Sequence, residues 1–103
     1  MFFEWNDQKR EKTLRERGID FADVIAIWAD PHRQERPDLR KNYGEQRVQT
    51  IGTTNGRVFF TVYTERVYEE DGQEVIRIIS ARRANEAERE LYRTFRFSSE
   101  EAK

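Results

Sequence analysis

The sequence predicts an α+β fold: a small antiparallel sheet with two N-terminal helices and one C-terminal helix packed against it. Three observations carry that expectation. The first is Asn55-Gly56 between two β-rich runs, since a type I′ hairpin turn needs positive φ at both central residues. The second is Val75-Ile76-Arg77-Ile78-Ile79-Ser80-Ala81-Arg82-Arg83, whose β-branched residues suit a buried strand better than a helix. The third is a pair of capped, helix-forming segments ahead of these strands and one behind them. At 103 residues the chain forms one domain with one modest core.

Phe2-Phe3-Glu4-Trp5 is a short run of β-formers, read as an edge strand or a hydrophobic anchor. Asn6 or Asp7 caps a helix over Asp7 to Arg17, which stops at Gly18. Leu14 is its one large aliphatic residue, so the helix is expected to pack through Leu14 and the stems of its Arg and Lys residues. Asp20 caps a second helix, in which Phe21, Val24, Ile25 and Trp28 recur at core-facing spacing until Asp30-Pro31 ends it. From Asp30 to Gln46 the chain is polar, with Pro31, Pro37, Asn42 and Gly44 and almost no aliphatic residues, the composition of a loop. Arg47 to Gly52 and Arg57 to Arg66 are the hairpin strands. Asp71-Gly72 turns the chain again, setting the Arg77 strand antiparallel to the Phe60 strand. Asn85 and Glu88 form an N-cap pair for the last helix, with Ala87, Leu91, Tyr92 and Phe95 as its apolar stripe and residues 98–103 as a polar tail.

Charged residues make up 38% of the chain, yet 19 Lys and Arg stand against 20 Asp and Glu, a formal charge of −1. That balance argues against a uniformly basic nucleic-acid binder and leaves room for a local basic site. The lack of cysteine rules out disulfides and thiolate metal sites and fits a reducing interior, so a cytoplasmic protein is expected. No stretch approaches the roughly 20 apolar residues of a membrane span. A phosphate-cradling glycine loop, a Gly-x-Ser-x-Gly elbow and zinc-ligand spacing are also missing, and neither metal nor cofactor is expected.

Arginine carries most of the positive charge, and its planar fork matches phosphate and carboxylate geometry. Lysine occurs only at Lys9, Lys12, Lys41 and Lys103. Period two divides the Arg77 strand into Val75, Arg77, Ile79 and Ala81 on one face and Ile76, Ile78, Ser80 and Arg82 on the other, so each face receives one guanidinium. A guanidinium among isoleucines reaches for water, pairs with a carboxylate or waits for an anionic ligand. The sole histidine, His32, falls in the polar loop, where a lone histidine is ordinarily just exposed. Trp28 reads as core and Ser80 as a packed hydroxyl.

Taken together, Phe3-Glu4-Trp5-Asn6 before a Lys/Arg-rich helix, Arg17-Gly18-Ile19-Asp20-Phe21, Asp30-Pro31, Gly44-Glu45-Gln46-Arg47, Thr50-Ile51-Gly52, Thr64-Glu65-Arg66 and Arg77-Ile78-Ile79-Ser80-Ala81-Arg82-Arg83-Ala84 resemble the BrnT toxins. The resemblance spans nearly the whole chain in the family's order, departing at Gln46, Val48 and a longer connection from Val67 to Glu74. It implies a RelE-like fold and a ribonuclease toxin that cleaves RNA without metal. It also implies neutralisation by a BrnA-like antitoxin, whose ribbon-helix-helix portion binds DNA. Because two chains make a ribbon-helix-helix fold, a heterotetramer of two toxins and two antitoxins is expected, touching DNA only through the antitoxin.

RNA cleavage by 2′-OH attack needs a proton acceptor, donors for the charge on the phosphorane oxygens and an acid for the leaving 5′ oxygen. Arg66 and Arg82 match the site positions that the resemblance implies, and Arg77, Arg83 and Arg47 are further candidates for phosphate contact. Glu45 and His32 are the candidate bases. Tyr63 is a candidate RNA contact or positioning group, or an acid if neighbouring cations perturb its phenol. Two competing readings stand beside these. Arg66 with Glu65 or Glu45 forms structural salt bridges, or the whole chain is a non-catalytic RelE-like module that binds an antitoxin-like partner.

Overall fold

In the computed structural model, which describes residues 1–100, the chain runs β1 (Phe2–Trp5), α1 (Asp7–Arg17), α2 (Phe21–Val24), β2 (Gln34–Pro37), β3 (Val48–Thr54), β4 (Arg57–Val67), β5 (Glu74–Arg83) and α3 (Glu86–Arg93). The strands form one five-stranded sheet in the order β1-β5-β4-β3-β2. The α+β expectation holds, but the sheet is mixed, because β1 lies parallel to β5 with Phe2 beside Val75 and Trp5 beside Ile78. These two strands are joined through most of the chain, so no hairpin forces them antiparallel. No helix among the described residues is long and apolar enough to cross a membrane.

The fifth strand comes from the stretch read as a loop. β2 pairs antiparallel with β3, Gln34 opposite Ile51 and Pro37 opposite Val48. Its side chains are Gln, Glu, Arg and Pro, so no apolar alternation marks it. It is an edge strand, where a proline need not interrupt a ladder on both sides. The hairpin between β3 and β4 forms as expected, with φ of 51° at Asn55 and 72° at Gly56.

β4 and β5 pair from Phe59 opposite Arg83 to Val67 opposite Glu74, with one shift of register. Val62 faces Ser80 and Tyr63 faces Ile78, so Ile79 is the extra residue of a β-bulge. That residue resets the period-two count. Arg77, opposite Thr64, and Arg82, opposite Phe60, therefore share one face, where strict alternation had separated them.

Each face has its own apolar cluster. On one, Phe21, Val24 and Ile27 are fully buried against Phe59, Tyr63, Ile78 and Ala81. The expected stripe used Ile25 and Trp28 instead of Ile27. The chain tightens into a 3-10 helix over Ile25–Ala29, and the period falls from about 3.6 to about 3, turning Ile27 inward. Trp28 is partly buried, edge-on to Phe3 at 5.1 Å and to Tyr63 at 5.3 Å.

On the opposite face α3 and a short turn over Phe97–Ser99 cover Ile51, Phe60 and Val62. Asn85 and Glu88 make the expected capping box. Phe95, expected in the apolar stripe, is exposed. The helix ends at Arg93, Phe95 takes a φ of 57°, and the redirected chain buries Phe97 instead, 6.2 Å from Phe60. Of the expected tail, residues 101–103 lie outside the described residues. α1 buries no side chain and leaves Leu14 exposed, contrary to the packing expected through it. Polar ties hold it: Arg10 pairs with Asp20 at 2.7 Å, and Arg17 donates to the Ala81 carbonyl at 2.9 Å. That carbonyl lies on β5 beyond the reach of β1, so α1 covers a strand edge that the parallel pairing leaves open.

Candidate active site

The face that carries Phe60 and Val62 is apolar under α3 and cationic beyond it. Alternation along β4 brings Arg66 onto this face, and the bulge sets Arg77 on it from β5. The connection from β2 to β3 reaches over this end of the sheet, fixed where Thr64 Oγ1 donates to the Gln46 carbonyl at 2.8 Å. Lys9 joins from α1. The result is a groove of about 340 Å³ lined by Lys9, Tyr43, Glu45, Arg47, Arg66 and Arg77, with Asn6, Ile78 and Ile79 completing it.

Every arginine in the groove has a carboxylate partner. Glu45 accepts from Arg47 Nε at 2.9 Å and lies 3.6 Å from Arg66 Nη2. Arg77 pairs at 3.1 Å with Glu4, which also accepts the Tyr68 hydroxyl at 2.6 Å. The Arg47 guanidinium stacks 4.3 Å from the centre of the Tyr43 ring, so its fork is held from two sides. Among the described residues lining the groove, Glu45 is the only carboxylate. A phosphate entering there meets cations from α1, the β2–β3 connection, β4 and β5, and one acceptor among them.

Arg82 lies on the same face outside the groove lining. Its guanidinium grips Glu88 with both ends of its fork, at 2.7 and 2.8 Å, and lies 4.2 Å from the Phe60 ring centre. Burial works against the Glu88 carboxylate, but Arg82 and the Asn85 amide outweigh it and hold the pKa below its ordinary value. This pair fastens α3 to β5. Nearby, Arg36 donates to Gln49 Oε1 at 2.8 Å and lies 4.0 Å from the Phe97 ring centre. Burial pushes its guanidinium below its usual value.

The other sequence candidates stand elsewhere. Tyr63 is buried on the opposite face and donates to Glu35 at 2.6 Å. Burial, and then the Glu35 carboxylate, push its phenol above the ordinary range, against the cation-perturbed acid that the sequence suggested. Arg83 is exposed on that same face, opposite Phe59. His32 is exposed, its amide donating to Asp30 at 2.8 Å and its ring edge-on to Phe95 at 5.4 Å. The fold thus gathers Arg47, Arg66, Arg77 and Glu45 and leaves Arg82, Arg83, His32 and Tyr63 outside the groove. Sequence reasoning missed Lys9, Tyr43 and Glu4. Only the partnering of β1 with β5 brings Glu4 beside Arg77, and nothing local signals it.

The family description "ribonuclease toxin, BrnT, of type II toxin-antitoxin system" matches residues 5–88. The chain belongs to the BrnT family. The matched stretch contains every arginine of the groove, Glu45 and the Arg82–Glu88 pair, and it stops inside α3 before Phe97. BrnT membership means a ribonuclease toxin with RNA as substrate and an antitoxin as partner. No curated relative matches this BrnT chain.

Proposed function

We propose that the chain cleaves RNA by attack of a ribose 2′-OH on the adjacent phosphate, with Arg47, Arg66 and Arg77 holding the phosphate and Glu45 accepting the hydroxyl proton. The carrying observation is that Glu45 is the sole carboxylate among the described residues lining the groove and sits between Arg47 and Arg66. The 2′ oxygen forms a bond to phosphorus, the bond to the 5′ oxygen breaks, and the leaving oxygen takes a proton from solvent. The products are a 2′,3′-cyclic phosphate and a 5′-hydroxyl end. Charge grows on the non-bridging oxygens as the 2′ oxygen attacks, so guanidinium donors aimed at them stabilise the transition state more than the ground state. Arg82 serves the site indirectly, by holding α3 on the sheet beside it.

In the cell the groove is silenced by a BrnA-like antitoxin, and the complex is a heterotetramer of two toxins and two antitoxins in the cytoplasm, with a RelE-like arrangement on the toxin side. Family membership supports this reading, and a carboxylate-rich partner segment suits an arginine groove as RNA does. The test is cleavage of a defined RNA by purified chain, with end groups identified. Arg66→Ala, Arg77→Ala and Glu45→Gln should each lower the rate at least tenfold, since one lost transition-state donor removes about 2.7–4 kcal/mol. A folded Arg66→Ala/Arg77→Ala variant that cleaves at the parental rate overturns the roles given to these arginines, whereas a folded parental chain that cleaves no RNA overturns the activity and leaves the non-catalytic, antitoxin-binding reading.

A further inference from the structure

Beside the arginine groove, within the connection from β2 to β3, lies a second cavity of about 490 Å³. Tyr43, Glu45 and Arg47 line both, so the two spaces share one wall. The chemistry changes across it. The groove carries an excess of cations, whereas in the cavity Arg36, Lys41 and Arg47 are balanced by Glu35, Asp38 and Glu45. Pro37, Leu39, Val48 and Tyr43 line the cavity beside the amides of Asn42 and Gln46. Asn42 spends its carbonyl oxygen on the Gly44 amide at 2.9 Å, which leaves its NH₂ group to donate elsewhere. Leu39 is 69% exposed, an apolar side chain that the chain itself does not cover.

A nucleotide has the same change of character along its length: an anionic phosphate, a short ribose, then a flat base with apolar faces and a hydrogen-bonding edge. We infer that the second cavity is a nucleobase subsite, which receives the base adjoining the phosphate held by Arg47, Arg66 and Arg77. This rests on the ribonuclease reading of the groove and extends it to the class of substrate. A base that inserts beside Tyr43 has left its pairing partner, so the substrate is single-stranded RNA. Arg47 links the two halves, because it lines both spaces, donates to Glu45 on their common wall and lies over the Tyr43 ring, as Lys41 does at 5.1 Å. A base against Tyr43 and a phosphate on Arg47 fix each other's register, and the Asn42 amide faces the base edge, where one base is told from another.

The experiment compares a 3′-nucleoside monophosphate with ribose 5-phosphate, each titrated into the full chain by calorimetry. The nucleotide should bind at least tenfold tighter, as base stacking on an aromatic side chain provides. Tyr43→Ala and, separately, Leu39→Ser should bring the two affinities within threefold of each other. Leu39 is exposed, so its variant folds even if the Tyr43 variant does not. Among the four nucleotides the parental chain should show a preference that Asn42→Ala levels. Equal binding of nucleotide and ribose phosphate by the parental chain overturns the subsite and leaves the arginine groove standing. Ribose phosphate binding unchanged by Arg66→Ala/Arg77→Ala overturns the groove itself.

Discussion

Arg82→Ala is expected to lower stability before it lowers chemistry. Arg82 makes two hydrogen bonds to Glu88, at 2.7 and 2.8 Å, and the Glu88 side chain is only 11% exposed. Breaking a fully buried pair costs about 3–5 kcal/mol, because the abandoned charge has no substitute partner. Arg82 is itself 37% exposed, so water screens part of the interaction, and the Asn85 amide at 2.9 Å still serves Glu88. About 2 kcal/mol is the resulting expectation, a fall in Tm on the order of 8–16 °C for a domain of this size. Tryptophan fluorescence in urea and in thermal scans, applied to Arg82→Ala, Glu88→Ala and the double variant, measures the free energy and the Tm. The coupling between the two sites should be about 1–2 kcal/mol. The pH dependence has a fixed sign. The folded pKa of Glu88 lies below the unfolded value of 4.5, so its contribution is complete above that value and disappears as pH falls through the folded pKa. Arg82→Ala should flatten this acid-side loss. A Tm within about 2 °C of the parent, or additive single substitutions, would refute the reasoning. Only cleavage measured well below the lowered Tm can then report on a chemical role for Arg82.

Gly52→Ala should destabilise by about 1–3 kcal/mol, because a Cβ there would lie 2.9 Å from the Ile27 Cβ and 3.3 Å from its carbonyl; an unchanged Tm shows that α2 and the following turn can move away. Tyr63→Phe should cost about 1 kcal/mol through the lost bond to Glu35 and leave RNA cleavage within threefold, and a tenfold loss of rate in the folded variant would restore Tyr63 to the site. Phe97→Ala should cost about 3–5 kcal/mol in chemical denaturation, since the ring is fully buried in the cluster under α3, and a loss below 1 kcal/mol would mean that the segment after α3 is not part of the core.

The parts of the fold that follow from local chemistry were legible in the sequence. Asn55-Gly56 fixes its turn through backbone conformation alone, and the capping box of Asn85 and Glu88 depends only on spacing. The rest depends on partners distant in the chain. β2 has no apolar face to announce it and becomes a strand only because β3 offers it an edge. The bulge at Ile79 is invisible in a run of β-branched residues, yet it decides that Arg77 and Arg82 share a face. Within the candidate site, Arg66 and Arg77 were recognisable as cations on strands. Tyr63 was misplaced because β4 alternates apolar and polar side chains on both faces, and only the cluster around Phe21 shows which face is closed.

The pairing of these arginines bears on how a neutral chain selects its ligand. Arg47, Arg66 and Arg77 each meet a carboxylate, at 2.9, 3.6 and 3.1 Å, so a phosphate does not enter a field of unopposed positive charge. It must offer more than the carboxylate that it displaces, which makes binding the difference between two similar electrostatic terms. A lone phosphate group gains little from that exchange. An RNA strand gains more, since several groups engage at once and, in the proposed mechanism, Glu45, the carboxylate that gives way, is the acceptor for the 2′-OH proton. Arg66 has the longest of the three pairs and gives up the least, so it is the first cation expected to change partners. A formal charge of −1 with a paired groove therefore disfavours indiscriminate nucleic-acid binding while keeping the site ready for a ligand that fits.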